Sequence, residues 1–172
     1  MRWIVRLAIL AVIVALAVFA GRFMMALLGA VVGAALASAI LAAVRGSRAV
    51  RAFRRTWGAQ GKDLLIVYSN SPHWQRYIEE EWLPHWRDRA VVLNWTERAK
   101  WAAGPEVELF RTVVGRKEHN PVAIVVPQTG AIKVLRFWRA FREMAQGKEQ
   151  TFRTIEAQLD ALLNAPPPIE RL

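Results

Sequence analysis

Cysteine is absent from this chain. Disulfide scaffolding, thiol redox chemistry and thiolate metal sites are excluded with it. Acidic side chains are absent from the first sixty-two residues, and Asp63 is the first carboxylate. Nine basic residues precede it: Arg2, Arg6, Arg22, Arg45, Arg48, Arg51, Arg54, Arg55 and Lys62. From Asp63 onward fifteen basic residues face fourteen acidic ones, so the net charge of +10 sits almost wholly at the front. A nearly neutral back end argues against nucleic acid as a partner, despite a pI near 11.2. Gly-x-x-x-x-Gly-Lys-Ser, Gly-x-Gly-x-x-Gly and Gly-x-Ser-x-Gly are all missing. Nucleotide hydrolysis, dinucleotide binding and esterase chemistry therefore have no support. The three histidines lack metal-ligand spacing, so neither a metal nor another cofactor is expected.

What the front end holds instead is apolar. Residues 7–20 are an unbroken apolar run, and residues 23–44 are a second, interrupted only by Ser38. A straight helix over residues 4–44 would be about 60 Å long, twice the hydrocarbon thickness. Folding at Gly21-Arg22 gives spans of about 25 and 33 Å, which fit. The sequence therefore predicts a two-helix transmembrane hairpin over residues 1–44. Arginines flank both outer ends, so both termini and the following domain are expected on the cytoplasmic side of an inner or plasma membrane. The alternative is a cleaved signal peptide, with Ala15-Leu16-Ala17 as its processing site. Gly29, Gly33 and Ala37 recur at four-residue spacing, as do Ala11 and Ala15. Small residues so spaced let helices approach closely, either span against span or between copies.

Residues 45–62 read as a basic juxtamembrane helix and linker. Val50, Phe53 and Trp57 share one helical face, and Arg48, Arg51 and Arg55 another. That pattern suits a helix lying on the bilayer, with Arg45, Arg48, Arg51, Arg54 and Arg55 near anionic lipid headgroups. A topology signal without lipid selectivity gives the same sequence.

Residues 63–164 have the size of one small domain, and residues 165–172 are a Pro-rich tail. Residues 63–68 (DLLIVY), 90–94 (AVVLN) and 122–126 read as buried strands, and 132–138 as a fourth strand after a Gln128-Thr129-Gly130 turn. Ser71 is a suitable N-cap and Pro72 a suitable first residue for a helix to about Trp86. Trp74, Ile78, Trp82 and Trp86 repeat every four residues on it, and Pro84 should kink or end it. Residues 97–101 add a helical turn, 106–114 a helix, and 148–163 a closing helix. The α/β order is β-α-β-α-β-β-α.

That order, together with Asn120-Pro121-Val122-Ala123-Ile124-Val125-Val126 and the Thr129-Gly130 turn, resembles the thioredoxin family. The resemblance implies a cis bond before Pro121. Where a redox member carries Cys-x-x-Cys, this chain has Ser-Asn-Ser-Pro-His-Trp, so the resemblance implies a thioredoxin-like domain without redox activity.

Ligands of open α/β sheets bind beyond the carboxyl ends of the strands. Three loops are expected to meet there, carrying Ser69, Asn70, Ser71 and His73, then Asn94 and Arg98, then His119, Asn120 and Pro121. The functional reading is a pocket for an anionic or carbonyl-bearing group, with Asn70, His73, Asn94, His119 and Asn120 on one rim. Ordinary turn and capping chemistry uses the same residue types. Arg136, Arg139 and Arg142 alternate with Phe137, Trp138 and Phe141, a pattern of core packing with a solvated arginine edge or of an acidic partner's site. Two functions remain open. One is a membrane-anchored, cytoplasm-facing binding or assembly module with a membrane or cytoplasmic protein partner. The other is an enzyme acting on a membrane-associated or anionic substrate through His73 or His119, although no nucleophile accompanies them.

Overall fold

A computed structural model describes residues 2–115 and 120–165. Glu118, His119 and the Pro166-Pro167-Pro168 tail lie outside the described residues. The chain divides into two compact units, Met1–Val44 and Arg45–Leu172.

The first unit is helical and belongs to helix α1, Arg2–Thr56. Phe19, Phe23, Met24, Met25, Leu28, Leu36 and Ile40 are all exposed on it. One helix, over Gly21–Gln60, is long and apolar enough to cross a membrane. The backbone stays helical through Gly21-Arg22, so the turn of the predicted hairpin does not form there. The physical reason is local. A glycine inside a helix costs only about 1 kcal/mol relative to alanine, and the neighbours Ala20, Met24, Met25 and Leu27 are good helix formers with no proline among them.

The second unit is built on four strands: β1 Leu64–Tyr68, β2 Ala90–Asn94, β3 Val122–Val125 and β4 Lys133–Arg136. Their order in the sheet is β2-β1-β3-β4. β1 and β2 are parallel, whereas β3 runs antiparallel to β1 and β4 antiparallel to β3. All five residues of β1 are buried, because β1 is central and covered on both faces. Its alternating side chains divide between two cores: Leu64, Ile66 and Tyr68 face one, Leu65 and Val67 the other. Helices on both faces of a mixed sheet make a three-layer α/β arrangement.

The first core is aromatic. It holds Trp74, Trp82, Trp86, Phe137, Phe141 and Phe152 among its buried residues. The helical stretch between β1 and β2 supplies the tryptophans at the predicted spacing, but it is not one regular helix. A turn anchored on Ser71 leads into α2 Gln75–Tyr77, a π-helical segment Ile78–Trp82, and α3 Leu83–Trp86. Ser71 serves that turn through both ends. Its Oγ accepts from the His73 amide at 3.4 Å and its carbonyl accepts from the Gln75 amide at 2.9 Å. Pro84 neither ends the helix nor forces a break. Proline cannot donate to the ladder, and the widened turn just before it lets the Leu83 amide reach back to the Ile78 carbonyl. Glu156 then fastens this stretch to the last helix, α6 Gln150–Asn164. One of its oxygens accepts from Tyr77 Oη at 3.0 Å and from Trp82 Nε1 at 2.8 Å.

The fourth strand is shorter than its predicted 132–138. Residues Trp138–Met144 form a helix, α5, which the sequence reading did not assign, having carried the strand on to Trp138. Phe137, Ala140 and Phe141 are fully buried, a three- and four-residue spacing that belongs to a helix rather than a strand. The Asn120-Pro121 bond is cis, as the resemblance implies.

The second core lies on the opposite face. Leu109 and Phe110 of α4, Pro105–Val113, pack there with Ala49 and Phe53. Ala49 and Phe53 are both 0% exposed. The bilayer-surface helix read from residues 45–57 is therefore corrected: its apolar face is filled by this domain's own sheet. Ala49 to Phe53 is one helical turn, so both reach the same surface.

Candidate functional site

Sheet register decides which loops can meet. Tyr68 pairs with Asn94 across the parallel β1–β2 ladder, and Val67 pairs with Val122 across the antiparallel β1–β3 ladder. The loops after β1, after β2 and before β3 thus emerge at one end of the sheet, as expected. The first two are joined by a closed set of hydrogen bonds. Asn94 Nδ2 donates to Asn70 Oδ1 at 2.6 Å, Asn94 Oδ1 accepts from the Thr96 amide at 2.9 Å, and Thr96 Oγ1 accepts from the Asn70 amide at 2.9 Å. Asn94 also caps a 3-10 helix, Trp95–Lys100, where the sequence predicts a helical turn. Two indoles bind the same loops: Trp74 Nε1 donates to the Ser69 carbonyl at 3.1 Å and Trp101 Nε1 to the Asn94 carbonyl at 3.0 Å.

Asn120 stands at the start of β3, buried at 7% exposure. Its Oδ1 has no hydrogen-bond partner among the described residues. Pro121 is buried beside it, and its carbonyl accepts from the Phe137 amide at 2.9 Å. Of the residues expected on a single rim, Asn70 and Asn94 are hydrogen-bonded to each other, and His119 lies outside the described residues.

His73 belongs to a different surface. It lines a cleft of 380 Å³ with Trp74, Trp138, Arg142, Ala145 and Gln146. The Arg142 guanidinium carbon lies 4.8 Å from the centre of the Trp138 ring, a cation–π contact. None of the six lining residues is a carboxylate, so nothing in that wall orients His73 as a general base. Its chemistry is that of a half-aromatic, cationic hollow, suited to holding an acidic side chain. Sequence reasoning named His73 but did not place Trp138, Arg142 and Gln146 beside it, since it carried the fourth strand to residue 138 and assigned no helix over Trp138–Met144. The arginine–aromatic alternation was the available signal. Phe137 and Phe141 take the core, while Trp138 and Arg142 face the cleft.

Arg98 lines a second cleft. Its guanidinium sits 5.2 Å over the Trp95 ring, and it donates to the Trp95 carbonyl at 3.3 Å.

Of the five arginines between residues 45 and 55, Arg45, Arg48, Arg51 and Arg55 are exposed. Arg54 is committed elsewhere. Its Nε donates to the Pro127 carbonyl at 2.8 Å and a terminal nitrogen to the Gly130 carbonyl at 2.6 Å. Those carbonyls belong to the β3–β4 turn, where Gly130 adopts φ +81°, a left-handed conformation that glycine allows. Arg54 thus braces a tight turn in addition to carrying charge.

Two tyrosines, the only ones in the chain, have phenols shifted upward. Burial, reinforced by a hydrogen bond to Glu79, pushes Tyr68 from 10.0 to about 12. Burial and the hydrogen bond to Glu156 raise Tyr77 as well. Both are structural donors on the aromatic face. Among the described residues, no cluster of three or more His, Asp or Glu side chains offers a metal site.

Comparison of the chain with protein-family models, with curated proteins and with solved structures finds no match.

Proposed function

We propose that this chain is a membrane-anchored, non-redox thioredoxin-like module that binds or assembles a protein partner on the cytoplasmic side. The sheet order β2-β1-β3-β4, with its parallel first pair and antiparallel second, supports the thioredoxin-like reading. The apolar helix supports the anchor, and the distribution of arginines supports the cytoplasmic side. The exposed Arg45, Arg48, Arg51 and Arg55 add attraction to anionic headgroups, each about 1 kcal/mol near such a surface.

One observation carries the choice of binding over catalysis. At the end of the sheet where chemistry is expected, Asn70, Asn94 and Thr96 satisfy one another, and the neighbouring histidine faces an arginine and tryptophans rather than a carboxylate. The arrangement is a docking surface for an acidic segment, with Arg142 and Trp138 as anchors. Arginine and tryptophan are the residue types in which interface binding energy concentrates.

Crosslinking in native membranes followed by capture tests the reading, with wild type compared against a His73→Ala/Arg142→Ala double variant. Partners recovered with wild type should be depleted with the variant. Equal recovery would remove the cleft from the interface. A reporter fused after Leu172 should be active in the cytoplasm, and periplasmic activity would reverse the orientation.

A further inference from the structure

The cleft that contains Arg98 differs from the His73 cleft in both its walls and its charge. It has a volume of 320 Å³ and is lined by Trp95, Arg98, Trp101, Phe110 and Arg111. The first three come from the loop after β2 and the last two from α4. Its position is therefore set by topology, because it opens beyond the carboxyl end of a parallel strand.

Three rings make its floor. Trp95 and Trp101 meet edge to face at 5.7 Å, Trp95 and Phe110 at 5.6 Å, and Trp101 and Phe110 at 6.0 Å. Phe110 is fully buried, which fixes the set against the second core. Trp101 is held by its bond to the Asn94 carbonyl, so the rings are arranged before any ligand arrives. Two guanidinium groups stand on the rim. Arg98 is oriented by the Trp95 ring and carbonyl. Arg111 is exposed and has no hydrogen bond or ion pair among the described residues. Glu97, the nearest acid in sequence to Arg98, is engaged by Lys100 at 3.1 Å. Planar guanidinium forks match the oxygens of phosphate, and two of them suit a doubly charged group. Aromatic walls with a few fixed polar groups are what small-molecule sites use.

We propose that this cleft binds a small organic phosphate carried on a planar ring. The phosphate lies between Arg98 and Arg111, and the ring lies against Trp95 and Trp101. This is separate from the protein-docking role assigned to the His73 cleft and stands without it.

Phenyl phosphate is the probe, with inorganic phosphate as the charge alone and benzyl alcohol as the ring alone. The full chain, in detergent or nanodiscs, is titrated by calorimetry and by the indole 1H–15N resonances. Phenyl phosphate should bind at least about tenfold more tightly than either fragment, and the Trp95 and Trp101 indole signals should shift together. An Arg98→Gln/Arg111→Gln variant should weaken phenyl phosphate by about tenfold or more, as loss of charged hydrogen bonds does. Arg153→Gln, a change at an exposed arginine paired with Glu149, should leave it unchanged. Equal binding of phenyl phosphate and inorganic phosphate overturns the proposal, as does equal binding by wild type and the double variant. If the double variant does not fold, wild-type titration decides alone: Trp95 and Trp101 signals that stay still at saturation overturn it.

Discussion

Phe19 and Phe53 lie on the same helix, yet Phe19 is 71% exposed and Phe53 is 0% exposed. The difference lies in what surrounds each ring in sequence. Around Phe19 nearly every position is apolar, so no helical face is reserved for protein and none for water. Such a helix calls for apolar surroundings on all sides, in a protein core or a bilayer. Around Phe53 the apolar positions recur only at a turn's spacing, with arginines between them. That stretch has one face to bury and one to leave in water. Apolar content alone would treat the two stretches as a single anchor; periodicity separates them.

Truncation breaks the comparison most severely. A chain starting at Arg45 should fold and stay in solution, whereas one starting at Trp57 loses Ala49 and Phe53 from the second core and should fail to give a cooperative urea transition. Single substitutions sharpen it. Phe53→Ala should cost the domain about 3–5 kcal/mol, the range for truncating a buried phenylalanine. Phe19→Ala should leave the domain's urea midpoint where it is.

The arginines supply a smaller contrast. Arg54→Ala removes charged bonds to two carbonyls of the β3–β4 turn and should cost about 1–3 kcal/mol by chemical denaturation. Arg55→Ala, at an exposed position, should stay within about 0.5 kcal/mol.

The smallest effect concerns pH. Burial on folding raises the Tyr68 phenol to about 12, against 10.0 for a free group. Its contribution to stability is therefore complete below pH 10 and is lost as the pH rises from 10 to about 12. Absorbance titration at 295 nm should show little tyrosinate at pH 10.5, since both tyrosines are raised. Unfolding in urea should restore ordinary titration.

Much of the domain was legible because its strands are short, apolar and bounded by turn residues. Residues 63–68, 90–94 and 122–126 match β1, β2 and β3 to within one residue at each end. Two failures have physical causes. The amphipathic pattern at Val50, Phe53 and Trp57 says that one face is buried, but a lipid surface and a β-sheet make the same demand on it. The run from Ile132 to Phe141 mixes apolar and basic residues in a way that fits a strand for its first half and a helix for its second. Only packing of Phe137 and Phe141 in one core decides where the change falls. The candidate site was legible as loops, since Asn70 and Asn94 do meet. Its clefts were not, because each needs residues from an element distant in sequence: Trp138 and Arg142 for His73, Phe110 and Arg111 for Arg98.

The absence of cysteine makes the central contrast directly measurable, since any introduced thiol is unique. Spin labels at Ile40→Cys and Arg51→Cys, in the full chain reconstituted in bilayers, report their surroundings through collision with oxygen or with a water-soluble nickel complex. The label at position 40 should be accessible to oxygen and shielded from nickel, and the label at position 51 should be accessible to nickel. A position-40 label open to nickel, or a position-51 label shielded from it and open to oxygen, would contradict a membrane helix that passes into a water-facing domain within three turns.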